Sequence, residues 1–162
     1  MTSEQRAKAV LSTPAEREIL TERVFDAPRE RVWAAYTDPQ LIPRWWGLRD
    51  SETRIDRHEL RPGGVWRFVE RKSDGSEAAF RGVYREVSPI ERLAYTFEYE
   101  GKPGHVLIDT VEFEDLGGQT KLVVHSLFHT TEERDWMIEA GMEKGLNEGY
   151  GQLDELLEDL AR

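Results

Sequence analysis

The spacing of hydrophobic and polar positions changes period three times along the chain. From Arg17 to Phe25 the period is two: Ile19, Thr21, Arg23 and Phe25 alternate with Glu18, Leu20, Glu22 and Val24, as side chains do on the two faces of a strand. Asp26-Ala27-Pro28 breaks that pattern, and Pro28 suits the first turn of a helix, where its missing N–H costs nothing. Val32, Trp33, Ala35 and Tyr36 continue at helical spacing until Asp38-Pro39. A second short helix is predicted from Pro39 to about Trp46, ending at Gly47.

Between Thr53 and His129 the strand period returns. Turn chemistry cuts this stretch at 61–64, 73–76, 88–89, 101–104 and 117–118, which predicts six strands. Arg61-Pro62-Gly63-Gly64 suits a type II turn, with Pro and then Gly in the central positions. Strands joined by such short turns, with no helix between them, must be antiparallel. Val111 and Phe113 interleave with Glu112 and Glu114, so one face of this sheet is wet. From about Thr131 to Leu160 a single long helix is predicted, with Trp136, Ala140, Leu146, Tyr150, Leu153, Leu157 and Leu160 as its apolar stripe. Residues 1–16 are polar and unpatterned and are expected to form a flexible tail, leaving 17–162 as one α+β domain.

Composition narrows the partners. At 162 residues the chain matches one domain that buries roughly 70% of its surface, a core that needs no staple. It has no cysteine, its N-terminus lacks the basic start and apolar run of a signal peptide, and no stretch approaches the roughly 20 apolar residues of a membrane span. A cytoplasmic location is the expectation. The net charge of −10, from 32 acidic and 22 basic residues scattered singly, argues against nucleic acid.

The order of strand, two short helices, six strands and long helix is the helix-grip order, and specific segments sharpen it. Arg-Val-Phe-Asp-Ala-Pro (23–28), Val-Trp-Ala-Ala-Tyr-Thr-Asp-Pro (32–39), Arg-Trp-Trp-Gly (44–47), Arg-Pro-Gly-Gly-Val-Trp-Arg-Phe (61–68) and Phe-Arg-Gly-Val-Tyr-Arg-Glu-Val (80–87) occur in sequence. Glu-Arg-Leu (91–93), Val-Glu-Phe-Glu-Asp (111–115), Gly-Met-Glu-Lys-Gly (141–145) and Tyr-Gly-Gln-Leu-Asp-Glu-Leu-Leu (150–157) follow. Together they resemble the SRPBCC (START-like) superfamily and, within it, bacterial homologues of the heat-shock-protein-90 ATPase activator. The resemblance implies a curved seven-stranded antiparallel sheet around the long helix, with a cavity between them. Members of the wider superfamily hold lipids, sterols, polyketides or plant hormones there, some catalyse cyclisation or hydrolysis, and the eukaryotic activator domain contacts its chaperone instead. The chain departs from many relatives at Gly149 and Gly151, where they carry polar or bulkier residues.

Period two puts Trp66 with Phe68, Phe80 with Tyr84, and Tyr95 with Phe97 and Tyr99 on one face of their strands. With Trp45, Trp46, Trp136 and Met137 they would either fill the core or wall a cleft, the usual form of a small-molecule site. Gly141, Gly145 and Gly149 stand four apart on the predicted helix, each costing roughly 1 kcal/mol against Ala. Such a row implies tight packing or space beside the helix. Asp109 shares the parity of Val111 and Phe113: it points inward as a ligand acceptor or acid/base group, or else lies near the strand end, solvated or paired with an Arg.

No metal or cofactor is expected. His125 and His129 share a strand face but stand roughly 13 Å apart, too far to share one zinc, and His58 and His105 sit beside turns. Motifs for hydrolytic triads and phosphate-cradling loops are missing. The expected function is non-catalytic binding of a small hydrophobic or aromatic molecule by a monomer or homodimer. The alternatives are an enzyme acting on such a molecule, favoured by a perturbed acid in the cavity, and a chaperone-contacting module, favoured by an exposed apolar patch outside it.

Overall fold

A computed structural model describes residues 8–162. Eight strands form one antiparallel sheet: β1 (Val10–Ser12), β2 (Glu18–Phe25), β3 (Glu52–His58), β4 (Val65–Arg71), β5 (Glu77–Ser88), β6 (Arg92–Tyr99), β7 (Leu107–Asp115) and β8 (Thr120–Leu127). Their order is β1-β2-β8-β7-β6-β5-β4-β3, so the predicted six-strand meander is joined at β8 by the N-terminal strand. The Arg61–Gly64 turn closes as expected: Gly64 N–H donates to the Arg61 carbonyl at 2.8 Å, and Gly63 takes φ 84°.

The strand count is eight rather than seven because β1 lies in the stretch expected to be a flexible tail. Leu11 pairs with Thr21, Ala9 is buried, and the Ala9 N–H donates to Asn147 Oδ1 at 2.9 Å. The part of that tail at 1–7 lies outside the described residues. Two short helices were expected after the first long strand. One is an α-helix, α1 (Arg29–Thr37), with Pro28 at its N-cap, and the other is a 3-10 turn, Ile42–Arg44.

The long C-terminal helix is two helices. α2 (Thr131–Glu139) begins at Thr130, whose hydroxyl accepts the Glu133 N–H, and gives way to α3 (Met142–Leu160) at Gly141. Gly141 has φ 93°, the left-handed conformation that commonly ends a helix and that glycine adopts without a Cβ penalty. α3 carries the core stripe. Leu153, Leu156 and Leu157 are buried, each contributing roughly 1.5–3 kcal/mol, whereas α2 buries no residue fully.

α3 is also tied to β2 by charge. Arg23, on the inward parity, places both terminal nitrogens on Asp154 at 2.7 and 2.6 Å. Its guanidinium stacks 4.4 Å from the Phe25 ring centroid. Inward residues of six strands, β2 and β4 to β8, face one space beside α3, so the sheet curves around that helix. Among the described residues, no helix is long and apolar enough to cross a membrane.

Candidate functional site

The space between sheet and helix is a cleft with two adjoining chambers. The inner one, of about 190 Å³, reaches Thr21, Tyr36, Trp66, Tyr84, Leu93 and Val124. The outer one, of about 330 Å³, opens past Gly47, Leu48, Glu70, Phe80, Leu107, Met137 and Gly145. Trp45, Trp46, Phe97, Asp109, Ser126, Met142, Leu146 and Tyr150 border both.

Strand register builds the polar floor. Tyr95 stands opposite Asp109 on β7, and Asp109 opposite Ser126 on β8, so three inward side chains form one rung. Facing pairs have Cβ atoms about 4.5–5.5 Å apart, close enough for their polar ends to meet. The Ser126 hydroxyl donates to Asp109 Oδ1 at 2.6 Å, and the Tyr95 hydroxyl donates to the same carboxylate. Burial pushes the Asp109 carboxyl up to about 6, opposed by those two hydrogen bonds. Above the rung, Tyr36 from α1 hydrogen-bonds Tyr150 from α3. Burial raises Tyr36 and Tyr95 well above the usual tyrosine range and Tyr150 to about 12, so all three stay neutral. Thr21 is 2% exposed, and its Oγ1 has no hydrogen-bond partner.

The walls are aromatic, and two of their indole N–H groups are spent on the protein. The Trp45 indole N–H donates to the Ala35 carbonyl at 2.8 Å, and that of Trp66 to the Thr96 carbonyl at 3.2 Å. Opposite Trp66 in the ladder stands Gly82, and a Cβ there would collide with the Thr96 carbonyl oxygen and lie 2.5 Å from Trp66 Nε1. Trp46 packs edge-on against Phe68 and Phe80, with centroids at 5.3 and 5.1 Å. Its loop is pinned from both sides: Thr53 donates to the Trp46 carbonyl, Gln152 of α3 donates to the Gly47 carbonyl, and buried Glu70 accepts from Ser51.

The structure therefore brings together Trp45, Trp46, Trp66, Phe68, Phe80, Tyr84, Tyr95, Phe97, Asp109, Met137 and Gly145. Three other expected residues lie elsewhere. Tyr99, at the end of β6, is 39% exposed and borders neither chamber, although its ring packs on Phe80. Trp136 is 45% exposed on α2 and lines a separate groove, with Lys102 Nζ 3.6 Å from its centroid. Gly141 is the break between helices and faces a polar hollow beside Lys144 and Glu148. Of the two placements open for Asp109, the inward one is found, with hydroxyls in place of an Arg. A Cβ on Gly145 would meet nothing within 4 Å, which means space rather than tight packing, while one on Gly149 would touch the Trp45 carbonyl at 3.8 Å.

Sequence reasoning did not single out Thr21, Tyr36, Ser126 or Tyr150 for the site. Parity places Thr21 inward with Phe25, and the helical stripe places Tyr150; nothing in the chain links Tyr36 to Tyr150. Among the described residues, no group of three His, Asp or Glu is arranged to hold a metal ion.

An antiparallel sheet wrapped on a C-terminal helix around such a cleft defines a helix-grip protein. The chain belongs to the family described as Activator of Hsp90 ATPase homolog 1-like protein, whose pattern matches residues 26–158. Solved structures agree. A protein from Rhodobacter sphaeroides is 26% identical over 94% of this chain and 99% of its own, with a TM-score of 0.88. One from Arthrobacter aurescens is 27% identical over 93% and 91%, with a TM-score of 0.85. CalU16 from Micromonospora echinospora is 26% identical over 92% and 83%, with a TM-score of 0.61. Comparison with curated proteins gives no match.

Proposed function

We propose that this protein binds a small, largely apolar or aromatic molecule in the cleft between the sheet and α3. The observation that carries the reading is the pairing of an aromatic wall with a few convergent polar groups: rings from five elements and from the loop after the 3-10 turn surround Asp109, Ser126 and an unpartnered Thr21 hydroxyl. Apolar burial would drive binding at about 25 cal/mol per Å², less the costs of association, and the polar floor would orient the ligand.

The test uses the neutral fluorophore N-phenylnaphthylamine. Saturable binding at one site per chain is expected. Gly145→Leu, at the border of the outer chamber where an added Cβ meets nothing within 4 Å, should weaken binding about tenfold or more with the fold intact. Absence of saturable binding, or equal binding by a folded Gly145→Leu protein, would refute the reading.

Two specific observations favour other functions. The raised Asp109 carboxyl is the kind of group an acid/base enzyme would use, and turnover lost in Asp109→Asn would support that. Trp136, Ile138 and Val106 are exposed outside the cleft, and Trp136→Ala would disrupt a chaperone contact made there without altering probe binding.

A further inference from the structure

The charges lining the cleft have one sign. Asp109 floors both chambers and Glu70 stands at the mouth, while no Lys, Arg or His among the described residues lines either chamber. Glu70 is engaged by Ser51 and by the Leu48 N–H at 3.4 Å. Asp109 receives only neutral hydroxyl donors, from Ser126 and Tyr95. Arg23, buried in the same core, is committed to Asp154 through both terminal nitrogens. A carboxylate withdrawn from water is costly unless a cation pairs with it, and the protein supplies none here.

The walls point the same way. Because the Trp45 and Trp66 indole N–H groups are donated to backbone carbonyls, these rings offer faces rather than donors to an occupant. Aromatic faces carry negative potential and attract ammonium groups. The Thr21 Oγ1, buried in the inner chamber without a partner, adds a lone pair.

We propose that the cleft selects an organic cation: an amine whose ammonium pairs with Asp109 and whose apolar body lies against Trp45, Trp46 and Phe97. This rests on the reading of the cleft as a small-molecule site and deepens it by assigning the ligand's charge. Carboxylic acids, including fatty acids, are disfavoured by the same field.

The groups facing Asp109 define the pH window. Tyr95 from β6, Tyr36 from α1 and Tyr150 from α3 stay neutral, β8 contributes Ser126, and Glu70 stands at the mouth of the outer chamber. An amine ligand keeps its charge across pH 5–8, so its affinity follows ionisation of Asp109.

Isothermal titration calorimetry with three probes of one shape tests this: phenylbutylamine, phenylbutanol and phenylbutanoate, on the whole chain. At pH 7.5 the amine should bind about tenfold or more tighter than the alcohol, with the acid weakest. Asp109→Asn should weaken the amine about tenfold or more and so remove its advantage over the alcohol. On the unmodified protein, lowering pH from 7.5 to 5 should weaken the amine about tenfold and leave the alcohol flat. Alcohol or acid binding as tightly as the amine would overturn the cation assignment and leave the cleft reading standing. Binding of none of the three would overturn both. Should Asp109→Asn fail to fold, the pH comparison decides, and an amine affinity that does not change would overturn the proposal.

Discussion

Replacing Asp109 by Asn should make the empty protein more stable at neutral pH. The carboxyl titrates near 6 in the folded chain, against the usual 3.8. A group whose folded pKa is raised binds its proton more tightly when folded. Its favourable contribution is complete below about pH 4 and is lost as pH rises through 6. The gap corresponds to about 3 kcal/mol between the acid limit and neutral pH, of which about 1–1.5 kcal/mol accrues between pH 5 and pH 7.5. Asparagine keeps the size of the side chain, and its carbonyl can accept the Ser126 and Tyr95 hydroxyls. Urea unfolding of both proteins at the two pH values isolates this site, because every other titrating group is common to both. The stability advantage of Asp109→Asn should be larger at pH 7.5 than at pH 5 by about 1–1.5 kcal/mol. A difference that does not change with pH would refute the assignment of a buried, raised carboxyl, as would a growing disadvantage.

Thr21→Val removes a buried hydroxyl that has no partner while keeping the branched shape, and should stabilise the protein by about 1 kcal/mol in the same assay. If the hydroxyl serves the ligand, the variant should also bind amines more weakly. Arg23→Ala leaves space between Phe25 and Tyr150 and strips the partner from Asp154, which at 39% exposure stays solvated; a loss of about 1–3 kcal/mol is expected, and no loss would mean the pair is not holding α3 to β2.

Parity made most of the wall legible. Trp66 with Phe68, Phe80 with Tyr84, and Tyr95 with Phe97 face the cleft because period two leaves no other choice once one residue of each strand is inward. The rule says nothing of where helix coverage ends, and Tyr99, two residues beyond Phe97, passes that limit. Trp136 fails for a different reason. Its place on the stripe assumed one continuous helix, but the left-handed Gly141 resets the direction of the chain, so phase is lost across it. Asp109 was ambiguous because parity and charge disagree. Its neutral partners depend on which residues stand opposite on β6 and β8, a register that a single strand cannot reveal. The three-residue β1 is too short to show a period at all.

Gly82 gives relatives a marker readable in their genes. The Trp66 indole reaches the Thr96 carbonyl across a position where this chain has no side-chain carbon. A Cβ there would also meet the Thr96 carbonyl oxygen at 1.8 Å, so a homologue with alanine or anything larger must part β5 from β6 at this rung as well as move its aromatic, which redraws one wall of the cleft. Grouping homologues by this residue therefore separates those that keep the close strand approach and its tethered indole from those that must build this wall another way.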